Sequence, residues 1–351
     1  MRNIWKRAIT FILIVVILVC CLGACGNNEP AETTVPVVTQ SPEEAKVLKV
    51  LTLGHSLAVD CGHLLALIAK VQGYESLVVG TLYHSGCTLK QHVGFMTENS
   101  REYSLYISST ETAETAPQVM QSVTMKEAVA HDMWDIVIIQ GGVFEVAKTA
   151  TYTNGNIQTI QNFVKENAKN LNVTFGWHMA WVPPVDDELR NTFSNPSNPY
   201  VYSYEEYNHN RTAMYNAVTK CVGENILTDD SFVCLIPSGT AIENALSSYL
   251  IEKDLHRDYT HASDLTRVIA SYVWYCVLTG VDQLDEISLD KVPTNLLVNR
   301  LKHPQGWELT DSEKALILEA VNAALKQPLQ MTQSQYTEAP ADYVPSELIK
   351  K

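Results

Sequence analysis

Continuous apolar runs and helically spaced apolar positions alternate along most of the chain. Residues 47–53, 77–82, 134–140, 173–177 and 232–237 are short, nearly unbroken apolar runs bounded by turn residues. Runs of that length and composition predict strands buried on both faces. Between them, apolar residues recur at helical spacing over 57–71, 157–168, 204–222 and 241–250, and then over 262–278 and 310–325. The last of these opens with Thr310-Asp311-Ser312-Glu313, the spacing of a capping box. Strand and helix in alternation predict an α/β fold, a mostly parallel sheet of about five strands with helices on both faces. One stretch, 102–125, fits the alternation least. Tyr103 to Ser109 alternates like a strand and a polar loop follows, which predicts either a hairpin insertion or a lid.

The ends of the chain read differently from its body. Arg2, Lys6 and Arg7 form a basic start, residues 8–22 are apolar and uncharged, and Leu22-Gly23-Ala24-Cys25 has the small-residue-then-cysteine form of a lipobox. The apolar run is about 15 residues, short of the roughly 20 that span a bilayer. Residues 1–24 therefore read as a lipoprotein signal peptide, with an uncleaved anchor as the alternative. Cys25 is then the lipidated residue, and the expected location is the bacterial cell surface or periplasm. Residues 25–44, poor in large apolar side chains, read as a flexible tether. Residues 45–326 form the expected single domain, roughly 280 residues and long enough for a full core. Residues 327–351 read as an irregular tail.

Charge and cysteine usage narrow the classes further. The formal net charge is −14, and loss of Arg2, Lys6 and Arg7 with the signal peptide makes it −17. A surface this acidic repels phosphate backbones, so no nucleic-acid partner is expected. Beyond residue 25 the cysteines are Cys61, Cys87, Cys221, Cys234 and Cys276, an odd set without close pairs. That is neither a disulfide framework nor a zinc knuckle, and small core residues are the plain reading.

Candidate chemistry lies where predicted strands end. Gly54-His55-Ser56 follows the first strand and opens a helix, so the Ser56 hydroxyl and N–H stand at a helix N-terminus; helix capping is the competing role. Tyr83-His84-Ser85-Gly86-Cys87 follows the second strand, and the Gly86 N–H can approach an oxyanion unless this is an ordinary turn. Asp258-Tyr259-Thr260-His261 precedes a helix. Three residues apart at a turn, Asp258 can hold one imidazole nitrogen while the other faces Ser56. A nucleophile, a base and an orienting carboxylate are what a serine hydrolase needs.

With these blocks in place the chain resembles the SGNH (GDSL-like) hydrolase superfamily, and within it an SGNH-like branch of bacterial lipoproteins. The resemblance rests on Gly54-His55-Ser56, on Ser85-Gly86-Cys87-Thr88-Leu89 and on the strand Trp134-Asp135-Ile136-Val137-Ile138-Ile139-Gln140. It continues through Ile236-Pro237-Ser238-Gly239-Thr240-Ala241-Ile242 and Arg257-Asp258-Tyr259-Thr260-His261, and covers residues 47–326. It implies a flavodoxin-like three-layer sandwich with Ser56 as nucleophile, His261 as base and Asp258 orienting it. It also implies an oxyanion hole built from Ser56, Gly86 and a third, side-chain donor. The usual Asn of a Gly-x-Asn-Asp block is missing, and Gln140 stands at the matching strand end. His55 likewise replaces the usual Asn before the serine. His55, Tyr83, Trp177, His178 and Trp181 are the expected substrate-binding residues, though aromatic residues at strand ends are also common in cores.

The expected activity is removal of O-acyl groups, acetyl above all, from carbohydrate or a small-molecule ester, with no cofactor. A metal site drawn from His55, His84, His92 and Asp258, or from Asp60 and His63, lacks ligand spacing. Nucleotide binding lacks a glycine-rich phosphate loop. The alternative class is a surface lipoprotein that binds glycan or a small solute through an inactive SGNH-like site.

Overall fold

A computed structural model describes residues 47–192, 207–341 and 343–347. The expected signal peptide, Cys25 and the expected tether lie outside the described residues. The elements run β1 (Leu48–Gly54), α1 (Ser56–Val71), β2 (Leu77–Tyr83), α2 (Leu89–Glu98), β3 (Tyr103–Ser109), β4 (Gln118–Val123), α3 (Met125–Val129) and β5 (Ile136–Gln140). They continue with α4 (Thr149–Thr153), α5 (Asn156–Asn167), β6 (Thr174–His178), α6 (Asp187–Arg190), α7 (Arg211–Asn225), β7 (Phe232–Ile236), α8 (Ser238–Leu246) and α9 (Glu252–Leu255). The series ends with α10 (Asp264–Thr279), β8 (Lys291–Val292), β9 (Trp307–Glu308) and α11 (Asp311–Lys326).

The five apolar runs are five parallel strands in the order β2-β1-β5-β6-β7, and β3 and β4 extend the β2 edge antiparallel. The sheet thus has seven strands, two more than the apolar runs predict. Residues 102–125 are a sheet hairpin and not a lid. β4 escapes sequence detection because it is an outer strand: Gln118 to Ser122 are all exposed, so it carries no apolar run.

Side chains alternate between two cores, as a strand's period of two requires. Val50, Ile136, Ile138 and Ile236 face α1, α8, α10 and α11; Leu51, Leu53, Val137, Ile139 and Phe175 face α2, α5 and α7. This is a three-layer α/β sandwich with the flavodoxin-like order of its parallel strands. Of the helix expected over 204–222, residues 204–206 lie outside the described residues, and among the described ones it runs Arg211–Asn225, with the Asn210 side chain accepting from the Ala213 N–H. The capping box at Thr310 and Glu313 is present.

The ladder aligns the strand ends that carry the candidate chemistry. Gly54 pairs with Tyr83, Gln140 with His178, and His178 with Ile236. Loops leaving these positions must share one edge of the sheet. The C-terminal residues 327–341 contain no helix or strand, yet they are pinned to the domain: Thr332 N–H donates to Asn244 Oδ1 at 2.7 Å, and Tyr249 N–H to the Tyr336 carbonyl at 2.9 Å. Further on, Tyr343 O–H and Ser346 N–H donate to the buried Asp254 carboxylate at 2.5 and 2.8 Å.

Candidate active site

α1 starts at Ser56 because His55 caps it: the His55 backbone is extended, and its Nδ1 accepts from the Leu57 N–H at 3.4 Å. The Ser56 N–H is then one of the donors that a helix's first turn leaves without an intrahelical acceptor. Across the ladder, β2 ends at Tyr83 and a turn closes with Cys87 N–H donating to the His84 carbonyl at 3.3 Å. Gly86 sits in that turn at φ +60°, a conformation that favours glycine.

Asp258 and His261 reach Ser56 from the loop before α10. Ser56 Oγ lies 2.8 Å from His261 Nε2, and His261 Nδ1 lies 2.9 Å from each Asp258 oxygen. A carboxylate only accepts, so Nδ1 carries the proton and Nε2 is left to accept from the Ser56 hydroxyl. Asp258 Oδ1 also accepts from the Thr260 and His261 N–H groups at 3.0 and 2.8 Å, which fixes the turn. Burial alone would raise the Asp258 carboxyl. The hydrogen bonding and electrostatic attraction of His261, with the two backbone donors, outweigh it and hold the group well below the usual carboxylate range. Trp181 supports the same loop, its indole N–H donating to the Thr260 carbonyl at 2.9 Å. Thr192 Oγ1 does so from another side, accepting from the Tyr259 N–H at 3.0 Å.

The structure moves four expected substrate-binding residues inside the protein. His55, Trp177, His178 and Trp181 are each at most 2% exposed, so none can touch a ligand as placed. Tyr83 is half-buried, edge-on to Tyr106 at 6.0 Å between ring centres.

Gln140 is corrected in the same way. Its carbonyl accepts from the His55 N–H at 3.4 Å, and its amide donates to His178 Nδ1 at 2.7 Å. At 1% exposure it braces the strand end behind Ser56, which is a different task from donating to an oxyanion. This amide belongs to a buried chain no local motif announces. His55 Nε2–H donates to the Gly141 carbonyl at 3.1 Å, and His178 Nε2–H donates to Ser238 Oγ at 3.1 Å. Each imidazole has one donor and one acceptor engaged, so both are neutral. Burial drives His55 down to about 4 and His178 to about 3.

Ser238 and Gly239 meet the β6 exit closely: Gly239 N–H donates to the Met179 carbonyl at 2.8 Å, and a Cβ at Gly239 would lie 2.4 Å from the Ala180 oxygen. The Ile236-Pro237-Ser238-Gly239 motif is thus a close backbone contact supporting the site.

A cleft of about 1810 Å³ opens beside these residues, with Asp258, Tyr259, His261, Tyr249, His303 and Trp307 among its walls. Ser56 is not on its lining, so the cleft meets the triad from the Asp258–His261 side. Of the residues weighed as metal ligands, His92 is fully buried with Nδ1 2.9 Å from the Tyr103 hydroxyl, and His84 Nδ1 donates to the Glu102 carbonyl at 2.8 Å. Asp60 pairs with Arg257 at 3.1 Å. Among the described residues, no three His, Cys, Asp or Glu side chains form a group that could hold a metal ion.

The family model described as "Domain of unknown function (DUF4886)" matches residues 49–295, which include Ser56, Gly86, Gln140, Asp258 and His261. A crystal structure of a DUF4886 family protein from Bacteroides uniformis ATCC 8492 is similar at TM-score 0.65 and 19% identity, over 84% of this chain and 100% of that one. That likeness is one of fold. A protein from Slackia heliotrinireducens described as "a putative SGNH hydrolase" is more distant, at TM-score 0.39 and 15% identity, over 66% of this chain and 100% of that one. No curated protein matches the chain.

Proposed function

The chain belongs to the DUF4886 family, and from that premise we propose that it is a serine hydrolase acting on ester bonds. The observation that carries the reading is the unbroken line Ser56 Oγ to His261 Nε2 at 2.8 Å and His261 Nδ1 to Asp258 at 2.9 Å. In the proposed reaction Ser56 Oγ attacks the ester carbonyl carbon as its proton passes to His261 Nε2. The Ser56 and Gly86 N–H groups donate to the oxyanion, and Asp258 stabilises the imidazolium. His261 then gives the proton to the departing alcohol, and water releases the acyl group by the same steps in reverse. With Gln140 braced against His178, the hole has two donors, and lacking a third costs roughly 10²–10³ in rate.

The finer reading is a lipid-anchored, extracytoplasmic enzyme that removes O-acyl groups, acetyl above all, from carbohydrate. Arg2, Lys6, Arg7 and the Leu22-Gly23-Ala24-Cys25 block support the anchor and the location. The cleft beside His261 supports a large substrate: about 1810 Å³ exceeds the roughly 300–1,000 Å³ of small-molecule pockets, and tyrosine and tryptophan rings that suit sugar faces stand on its walls.

The test is hydrolysis of 4-nitrophenyl acetate by the full-length chain beside Ser56→Ala and His261→Ala. Turnover above the blank that both substitutions abolish is the expected result. Turnover equal in the wild type and a folded Ser56→Ala removes the serine mechanism and leaves the glycan- or solute-binding lipoprotein as the reading.

A further inference from the structure

Asp60 lies one helical turn beyond Ser56 on α1, with 3% of its surface exposed. A carboxylate buried to that degree is costly unless every lone pair is engaged. Its hydrogen-bonding partners belong to the segment that carries the base, and Arg267 Nε of α10 stands 3.7 Å from Oδ1 as a further buried ion pair. Oδ2 accepts from the Ala262 N–H at 3.2 Å, and Oδ1 accepts from Arg257 Nη1 at 3.1 Å. The same Arg257 nitrogen donates to the Ala262 carbonyl at 2.5 Å, and the Arg257 N–H donates to the His261 carbonyl at 3.1 Å. Arg257 Nε stands 4.0 Å from Asp258 Oδ2, beyond hydrogen-bond reach. From α10, Arg267 Nε donates to the Asp60 main-chain oxygen at 3.3 Å.

These contacts join the two halves of the site across the sequence. Asp60 shares a helix with the nucleophile, and Arg257 and Ala262 flank Asp258 and His261. The pair therefore grips the Asp258–His261 turn at both of its ends and holds it to the helix that starts at Ser56. Charge on both partners strengthens such a hydrogen bond relative to a neutral one.

We infer that Asp60 and Arg257 are positioning residues, a buried ionic clamp that sets the Ser56–His261 contact; the inference rests on the hydrolase reading above. Asp60 is buried and off the cleft wall, whereas Arg257 also stands on that wall. The clamp acts on the step in which Ser56 gives up its proton, and at Asp60, which is off the cleft wall, it leaves substrate binding alone. A misplacement of about 1 Å between reacting groups costs on the order of 10² in rate.

The test compares the full-length wild type, Asp60→Asn, Arg257→Gln and the double variant. It measures kcat and KM on 4-nitrophenyl acetate, confirms folding by cooperative thermal unfolding, and adds a crystal structure of each single variant. Expected is a fall in kcat of roughly 10- to 100-fold in either single variant, with KM within about twofold in Asp60→Asn, whose residue is off the cleft wall. The double variant is expected to be no worse than the poorer single, because the two residues act as one unit. In the crystals the Ser56 Oγ–His261 Nε2 separation should open from 2.8 Å to beyond hydrogen-bonding distance. Unchanged kcat in a folded single variant, costs that multiply in the double, or a loss confined to KM overturns the clamp. If Asp60→Asn does not fold, Arg257→Gln, altered at a part-exposed residue, carries the test. If the wild type hydrolyses no faster than Ser56→Ala, the hydrolase reading fails, and the separation in the variant crystals alone decides the clamp.

Discussion

Lowering the pH from 7 to 5 should destabilise this domain through histidines that the fold keeps neutral. His55, His92 and His178 are each at most 1% exposed. Burial lowers them from an ordinary value of 6.5 to about 4 for His55 and about 3 for the other two. In the unfolded chain they titrate near 6.5, so below that pH the unfolded state binds protons that the native state refuses. The stability they provide is complete above pH 6.5 and is lost as pH falls toward 4 for His55 and 3 for His92 and His178. Across pH 7 to 5 each contributes a loss of about 2 kcal/mol. The three together give roughly 6 kcal/mol, and His63 and His256, also lowered by burial, add in the same sense, against about 5–15 kcal/mol for a typical domain. Glu243 works in the opposite sense: burial raises its carboxyl, so it gains stability as pH falls. Urea unfolding of the full-length chain at pH 7, 6 and 5, fitted for both midpoint and m, measures the balance. A total change below about 1 kcal/mol at constant m refutes the argument, because it means these rings accept protons in the native state.

Two further outcomes follow from the strand-end packing. Gln140→Leu keeps the volume but strips partners from the His55 N–H and His178 Nδ1, both buried, and should cost about 2–4 kcal/mol by urea unfolding at pH 7. A cost under about 0.5 kcal/mol would show that this buried chain contributes nothing to stability. Gly239→Ala places a Cβ 2.4 Å from the Ala180 backbone oxygen, where neither side can yield cheaply. It should cost about 1–3 kcal/mol in the same assay, and a neutral result would mean that the α8 start is not held against the β6 exit.

The strand series was legible in the sequence because parallel strands covered on both faces are continuous apolar runs, and here β1 and β5 are buried along nearly their whole length. Ser56 and the Asp258–His261 pair were legible because each is a short motif beside a predicted strand end or helix start. α2 was not, since only Leu89, His92 and Met96 are buried among its ten residues, and β4 shows no apolar run at the sheet's edge.

What a pattern along the chain cannot carry is the direction a strand-end residue faces once a neighbouring loop closes over it. His55, Gln140 and His178 read as pocket residues from their positions, and the tertiary structure turned them into a buried brace linked across 85 and 38 residues. Asp60 and Arg257 stand 197 residues apart, so no local period connects them. The sequence by itself determined which elements form and which short motifs sit at their ends, because propensity, period and turn chemistry are local. Only the tertiary structure decided which polar groups face a ligand and which satisfy one another, because a buried donor takes whatever acceptor the folded chain brings within reach.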